Sequence, residues 1–288
     1  MVLVFALLIA FCIPWYGPLA AMEWPLSNAA LIRNFGFNDR GRPVLGLVLE
    51  GEGELIAADE GEIIFTRHQR DTASRLPSPL GAWLALDHRN GLVSIYGRYR
   101  DDRETVQQSS AAGSMPIATA GHSGWSQRDG VYFMLYDRRE RRWVNASMIF
   151  NPLPDTVLPL IVSIQLRSAD NTIINSNQFL NLSQGRYTIV INAVDMLVPG
   201  GLRLAPHRIT VSVNGEEAGT LTFETISARD GLLMVNRNGL VGARQAYAPY
   251  PAFETGEVQL NRGQALLEVV VQDIAGNVRT ALTRMIVE

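Results

Sequence analysis

The chain is expected to be all-β, and three observations point there. Its 25 glycines and 14 prolines are scattered between short apolar runs, the punctuation of many turns. The apolar runs are rich in β-branched and aromatic residues and lack a 3.6-residue period. Asn-Gly pairs at Asn90-Gly91 and Asn214-Gly215 stand between apolar runs, a strong short-range hairpin signal. With 288 residues, 47% of them hydrophobic, the chain can bury one large core or two medium ones. A formal net charge of −3 supplies no basic face for nucleic acid.

In chain order, residues 1–22 come first: an uncharged apolar run from Met1 to Ile13, then Pro14 and Pro18, ending Leu19-Ala20-Ala21-Met22. This reads as a secretory signal cleaved near Ala21, too short to span a bilayer. The protein is therefore expected to be exported, periplasmic or envelope-associated, meeting a membrane only through this segment if it is retained. Cys12, the single cysteine, lies inside it, so the mature chain has no disulfide and no thiolate ligand.

Strands are expected at Leu31–Phe37, Pro43–Leu49, Glu54–Ala58, Gly61–Phe65, Ala82–Asp87 and Leu92–Gly97. Asp59-Glu60 reads as the tight turn of one hairpin and His88–Gly91 as that of another. The seven residues Gly130–Tyr136 form the most strand-like stretch. Val131, Phe133 and Leu135 would face one way, with Tyr132, Met134 and Tyr136 facing the other. Bulk on both faces places this strand inside a sheet. Asp137–Arg142 is a charged, solvated turn.

A proline-rich extended linker, 152–159, divides residues 23–151 from 160–288. Beyond it strands are expected at Leu160–Arg167, Tyr187–Asn192, Arg208–Val213, Thr220–Thr225, Leu232–Val235, Leu266–Gln272 and Val278–Val287. Their spacing suggests a β-sandwich. Residues 239–255, with Tyr247, Tyr250 and Phe253, read as an irregular aromatic loop covering a sheet edge.

Several segments of the first half, in order, resemble the lysostaphin/LytM-type zinc endopeptidases that cut peptidoglycan cross-bridges. They are Phe35-Gly36, Ala57–Phe65, Leu86–Gly91, Ile95–Tyr99, Gly113–Gly124 and Trp143-Val144-Asn145. The resemblance implies a lysostaphin-type antiparallel β-sheet domain over 23–151. The closing pattern Val269–Asn277 resembles bacterial immunoglobulin-like modules, implying an immunoglobulin-like β-sandwich over 160–288.

In that family a His-x-x-x-Asp pair and the second histidine of a His-x-His strand hold zinc, with water as the fourth ligand. Carried over, the zinc ligands fall on Val44, Val48 and Phe133. The two remaining histidines, which handle protons and charge, fall on Val131 and Arg98. Valine and phenylalanine have no lone pair for a metal, so the expectation is a pseudoenzyme with no metal and no cofactor. Tyr96, Arg98, His122, Trp125 and Tyr132 are candidate groove residues, an arginine among aromatics suiting a peptide carboxylate or a sugar face. The competing reading makes Tyr96 and Tyr132 core and Trp125 a loop plug. His88 reads as a structural turn histidine, and His68 and His207 as ordinary surface or turn residues. The partner is expected to be peptidoglycan or a cell-wall hydrolase. The rivals are a divergent peptidoglycan metalloendopeptidase with a relocated site, built for instance from His68, His122 and Asp129, and a purely structural envelope protein.

Overall fold

The computed structural model describes residues 21–68, 77–101 and 109–288. Residues 1–20, with Cys12, and most of the Arg67–Pro79 loop lie outside them. The fold is built almost entirely of antiparallel strands. The largest sheet runs from Val278–Val287 through Gly263–Gln272, Arg208–Val213, Glu216–Arg229, Arg142–Val144, Gly130–Asp137, Leu92–Gly97 and Trp83–Asp87 to Gly61–Arg67 and Ser110–Ala111. Leu47–Glu50 pairs with the first half of Gly130–Asp137 and carries Ala30–Arg33 on its outer edge.

The Gly130–Asp137 strand is interior, as its two bulky faces require. It has Leu92–Gly97 on one side and both Leu47–Glu50 and Arg142–Val144 on the other. Its alternation matches the sequence pattern. Val131, Phe133 and Leu135 are buried in one apolar cluster with Leu47, Leu49, Leu84, Leu86 and Tyr96. That cluster is roofed by Met22, Leu26, Ala57, Ala58, Ile117 and Phe150.

The hairpin expected around Asp59-Glu60 does not form. Glu54–Ile56 pairs instead with Pro116–Thr119 in a separate small sheet, and Ala57 N donates to Met115 O at 2.8 Å. The small, buried Ala57 and Ala58 let the chain cross from this roof layer to the main sheet before Gly61–Arg67 begins. The hairpin around His88–Gly91 does form, with Trp83 opposite Gly97 and Asp87 opposite Val93.

In the second half a smaller sheet of Ile173–Asn175, Leu160–Ser168, Gly185–Val194 and Ala252–Leu260 faces the far half of the large sheet. Ile164, Leu166, Ile189 and Ile191 from one layer meet Ile209, Val211, Leu221 and Val269 from the other in a second apolar cluster. The loop expected over 239–255 is corrected. It contains the strand Leu240–Gly242 and the short helix Ala243–Ala246, and it enters Ala252–Leu260. Tyr247 and Phe253 pack edge-on within the second cluster, so burial of their rings, invisible to local pattern, orders the segment.

The two halves share backbone. Arg142–Val144 pairs on its far side with Thr225–Ser227, so the sheet is continuous from one half to the other. Asn145 reinforces the seam: its backbone N donates to Glu224 O at 2.9 Å and its Nδ2 to Phe223 O at 3.0 Å. Phe35, from the first half, is fully buried in the second cluster. Gly36 follows with φ +78, and a Cβ there would stand 2.5 Å from the Phe223 ring. Its carbonyl accepts from Tyr247 Oη at 2.7 Å. Asn38 Nδ2 donates to the carbonyls of Ala248 and Ala252 at 2.8 and 3.1 Å.

Gly36→Ala combines left-handed backbone strain with overlap against Phe223. It should lower unfolding stability by about 2–4 kcal/mol, read as a shift in the urea midpoint. An unchanged midpoint would show that Phe223 is free to move aside.

Candidate functional site

The face of the large sheet opposite the first cluster carries the candidate groove. Residues directly across from one another in an antiparallel pair project to the same face, so the register sets which side chains meet. One row runs Arg33, Val48, Tyr132, Gly97 and Trp83 across five strands. Tyr132 therefore shares the groove face with Val48.

This register corrects the expected constellation. Val131 and Phe133 lie opposite Leu49 and Leu47, are 1% and 0% exposed, and point into the first cluster. They cannot converge with Val48, which leaves the sheet on the other side. A shift of one residue along a strand exchanges its faces. The positions that share the groove side are Gly130 and Tyr132. Val44 is buried beside them, and the next residue, Leu45, donates its N–H to Tyr132 Oη at 3.1 Å. Close approach is possible because residue 46 is glycine: a Cβ there would lie 2.1 Å from Phe133 O.

Arg98 stands over this floor. Its guanidinium carbon is 5.0 Å from the Tyr132 ring centroid, a cation–π distance. Arg98 has φ +72. Its N–H donates to Ala82 O at 2.9 Å and its carbonyl accepts from Ser123 N at 3.2 Å, so it clasps two rim loops together. Burial lowers its pKa, and nearby Arg33 adds to the same direction against the opposing effect of Tyr132. Its Nε finds no acceptor among the described residues. Burial likewise raises the Tyr132 phenol, so on this face the phenol is neutral and the guanidinium supplies the charge.

The sequence reading united Tyr96 with this group, and the structure separates it. Tyr96 is wholly buried on the opposite face. Its Oη accepts from Ala58 N at 2.8 Å and from Ser94 Oγ at 3.2 Å. Ser94 Oγ also shares a 2.7 Å hydrogen bond with His88 Nε2, and His88 Nδ1 donates to Glu60 O at 2.9 Å. His88 is thus a buried structural bridge. Burial pushes the Tyr96 phenol up to about 12.

Trp125 is 73% exposed on the rim, neither groove floor nor plug. His122 Nδ1 donates to Asp129 Oδ1 at 2.6 Å, also at the rim. His68 is paired separately, with Asp101 at 2.7 Å, so His68, His122 and Asp129 do not form one cluster. Leu80 rests over Gly97, where a Cβ would come within 3.2 Å of Leu80 Cβ. Beyond it, Phe65 and Trp83 stack with centroids 4.5 Å apart and Phe65 is exposed. The face therefore offers the Arg98 guanidinium, the Tyr132 phenol and an aromatic shelf.

Among the described residues, the one group of acidic, histidine or cysteine side chains close enough to share an ion lies elsewhere, at Asp155, Asp195 and Asp273. Sequence reasoning missed it. Asp155 falls in the expected linker, Asp273 between two expected strands, and Asp195 carries no local signal. Burial, then the charge of Asp273 and of Asp155, pushes Asp195 up to about 7. No described helix is long and apolar enough to cross a membrane.

A protein-family model matches residues 158–288. An uncharacterized protein of Treponema pallidum (strain Nichols) is 26% identical over 128 residues, covering 41% of this chain and 87% of the relative. Structural neighbours are lysostaphin-type peptidase domains over about 42% of the chain. The catalytic domain of the M23 protein EnpA from Enterococcus faecalis is 19% identical, with a TM-score of 0.32, covering 42% of this chain and 88% of that one. A zinc-containing peptidase from Vibrio cholerae is 18% identical, with a TM-score of 0.35, covering 46% and 41%. Lysostaphin is 10% identical, with a TM-score of 0.36, covering 76% and 86%.

Tyr96→Phe should cost about 1–3 kcal/mol, because it strands the buried Ala58 N–H. Tyr132→Phe exposes Leu45 N–H in a less buried place and should cost about 1 kcal/mol. Paired denaturant melts check the order; equal costs would contradict the different burial of the two hydroxyls.

Proposed function

We propose that the protein is an exported, non-catalytic envelope protein. Its first half is a lysostaphin-like domain that binds peptidoglycan or a cell-wall hydrolase, and its second half is an immunoglobulin-like module. One observation carries this reading: the groove positions hold Val44, Val48, Gly130, Tyr132 and Arg98, a set suited to gripping and unable to make a zinc-water nucleophile. Catalytic zinc sites use three nitrogen, oxygen or sulfur ligands that leave one position open. Valine and glycine side chains offer none, and a tyrosine facing an arginine is a recognition pair.

Arg98 supplies the anchor. A half-buried guanidinium above an aromatic ring matches a peptide carboxylate through a charge-assisted hydrogen bond. The exposed Trp125 and the Phe65–Trp83 pair offer ring faces for sugars or apolar stems. A peptide-bearing glycan presents both chemistries.

The full chain, incubated with isolated sacculi, should sediment with them and release no soluble muropeptides. Arg98→Ala should weaken retention by roughly 10-fold, in keeping with a lost charged hydrogen bond, and Arg98→Lys should restore part of it. Stoichiometric zinc in the purified protein together with muropeptide release would instead establish the metalloendopeptidase reading. Retention on neither sacculi nor a hydrolase would leave the purely structural role.

A further inference from the structure

Asp155 lies in the extended segment between the halves. Asp195 follows the Gly185–Val194 strand, and Asp273 opens the turn after Gly263–Gln272. Three separate stretches of chain thus bring one carboxylate oxygen each within 4.8 Å of one another. Asp195 is 3% exposed and Asp273 1%. Like charges at this range in a buried place repel strongly, and no arginine or lysine forms an ion pair with any of the three among the described residues.

The carboxylates are held in place, and two of the three keep a bare oxygen. Asp273 accepts from Asn277 N at its Oδ1 and from Asn277 Nδ2 at its Oδ2, both at 2.8 Å. The same Asn277 Nδ2 reaches Asp155 O at 3.3 Å, and Asp155 Oδ1 accepts from Val157 N at 2.8 Å. Asp195 is fixed by reciprocal backbone hydrogen bonds with Leu204 at 3.0 and 2.8 Å. Yet among the described residues no hydrogen-bond donor reaches the buried Asp195 Oδ1 or Asp155 Oδ2. A bare buried carboxylate oxygen is costly, and two of them in one place call for a cation. They line a cavity of about 50 Å³, roomy enough for an ion with a water or two.

We propose that Asp155, Asp195 and Asp273 form a calcium site that ties the connecting segment to the second half of the molecule. An all-carboxylate donor set selects a hard cation. With Ca–O bonds of about 2.3–2.6 Å, ligands on opposite sides of the ion stand up to about 5 Å apart, a span that takes in the observed one. Magnesium demands a tighter octahedron and keeps most of its water. His207 lines the same cavity with an unpartnered Nδ1 but stands outside the carboxylate group, so the site is not a mixed nitrogen–oxygen one. Several first-half residues, among them Trp24, Asn34 and Asn145, also line the cavity. An ion there stiffens the junction between the halves.

The test uses the full chain stripped with EDTA and titrated with calcium chloride. Calorimetric titration should give about one calcium per chain, and millimolar calcium should raise the melting temperature by several degrees relative to EDTA. Magnesium at the same concentration should give less than half that shift. Asp195→Asn and Asp155→Asn, isosteric changes that relieve repulsion, should stay folded by circular dichroism in EDTA and lose both the binding heat and the shift. Asp170→Asn, at an exposed turn, should keep both. Cleavage within residues 152–159 by a nonspecific protease should slow in calcium for the unsubstituted chain only. No binding heat and an unchanged melting temperature would overturn the proposal, an equal response to magnesium would overturn calcium as the ion, and a full shift in both variants would overturn the ligands.

Discussion

Everything on the groove face depends on one strand pairing, that of Gly130–Asp137 with Leu47–Glu50. Because Tyr132 lies opposite Val48 and Phe133 opposite Leu47, large apolar side chains fill one side of the sheet and leave the other to Tyr132 and Arg98. The register is over-determined. Phe133 packs edge-on against Tyr96 at 5.1 Å and also meets Phe150 at 5.2 Å, and Tyr132 Oη accepts from Leu45 N–H. Sliding the strand by one residue would turn Phe133 to solvent and Tyr132 into the core. The core therefore dictates which residues can ever meet in the groove.

A second dependence follows from continuity of the sheet. Arg142–Val144 has a partner strand on each side, one from each half, and Asn145 hydrogen-bonds across the seam. Phe35 and Gly36 look like part of the first half in sequence, yet they complete the core of the second. The groove face is thus joined to the second half through packed backbone instead of a loose tether. A sheet that runs through both halves resists the relative motion that a proline-rich linker alone would allow.

Much of the fold was legible because its determinants are local. The alternation of Val131, Phe133 and Leu135 against Tyr132, Met134 and Tyr136 announced an interior strand, and Asn214-Gly215 announced its hairpin, with φ +53 and +82 at the turn. Pairing partners were not legible. Glu54–Ile56 and Gly61–Arg67 read as a hairpin because they are neighbours in sequence, but the small Ala57 and Ala58 carry the chain between layers. Tyr247 and Phe253 read as loop aromatics because only the distant Phe223 explains their burial. At the candidate site, the Arg98 guanidinium stands 5.0 Å from the Tyr132 ring. Val131 and Phe133 face the core, away from Val48, a distinction that a motif match alone does not draw and a pleated strand does.

The carboxylate group shows the same limit from the other side. Asp155, Asp195 and Asp273 are 40 and 78 residues apart, on pieces that no periodicity links, so nothing in their spacing announces a cluster. Its physical signature is instead an energetic defect, buried charge with spare lone pairs at the junction of two halves. Buried side chains such as Asn38, His88 and Asn145 are satisfied by hydrogen bonds, whereas a buried carboxylate oxygen without a donor leaves charge that calls for compensation. The groove and the junction thus divide the chemistry of the chain. Polar ligand atoms are sparse where the resemblance would put a metal, and concentrated where the connecting segment meets the second half.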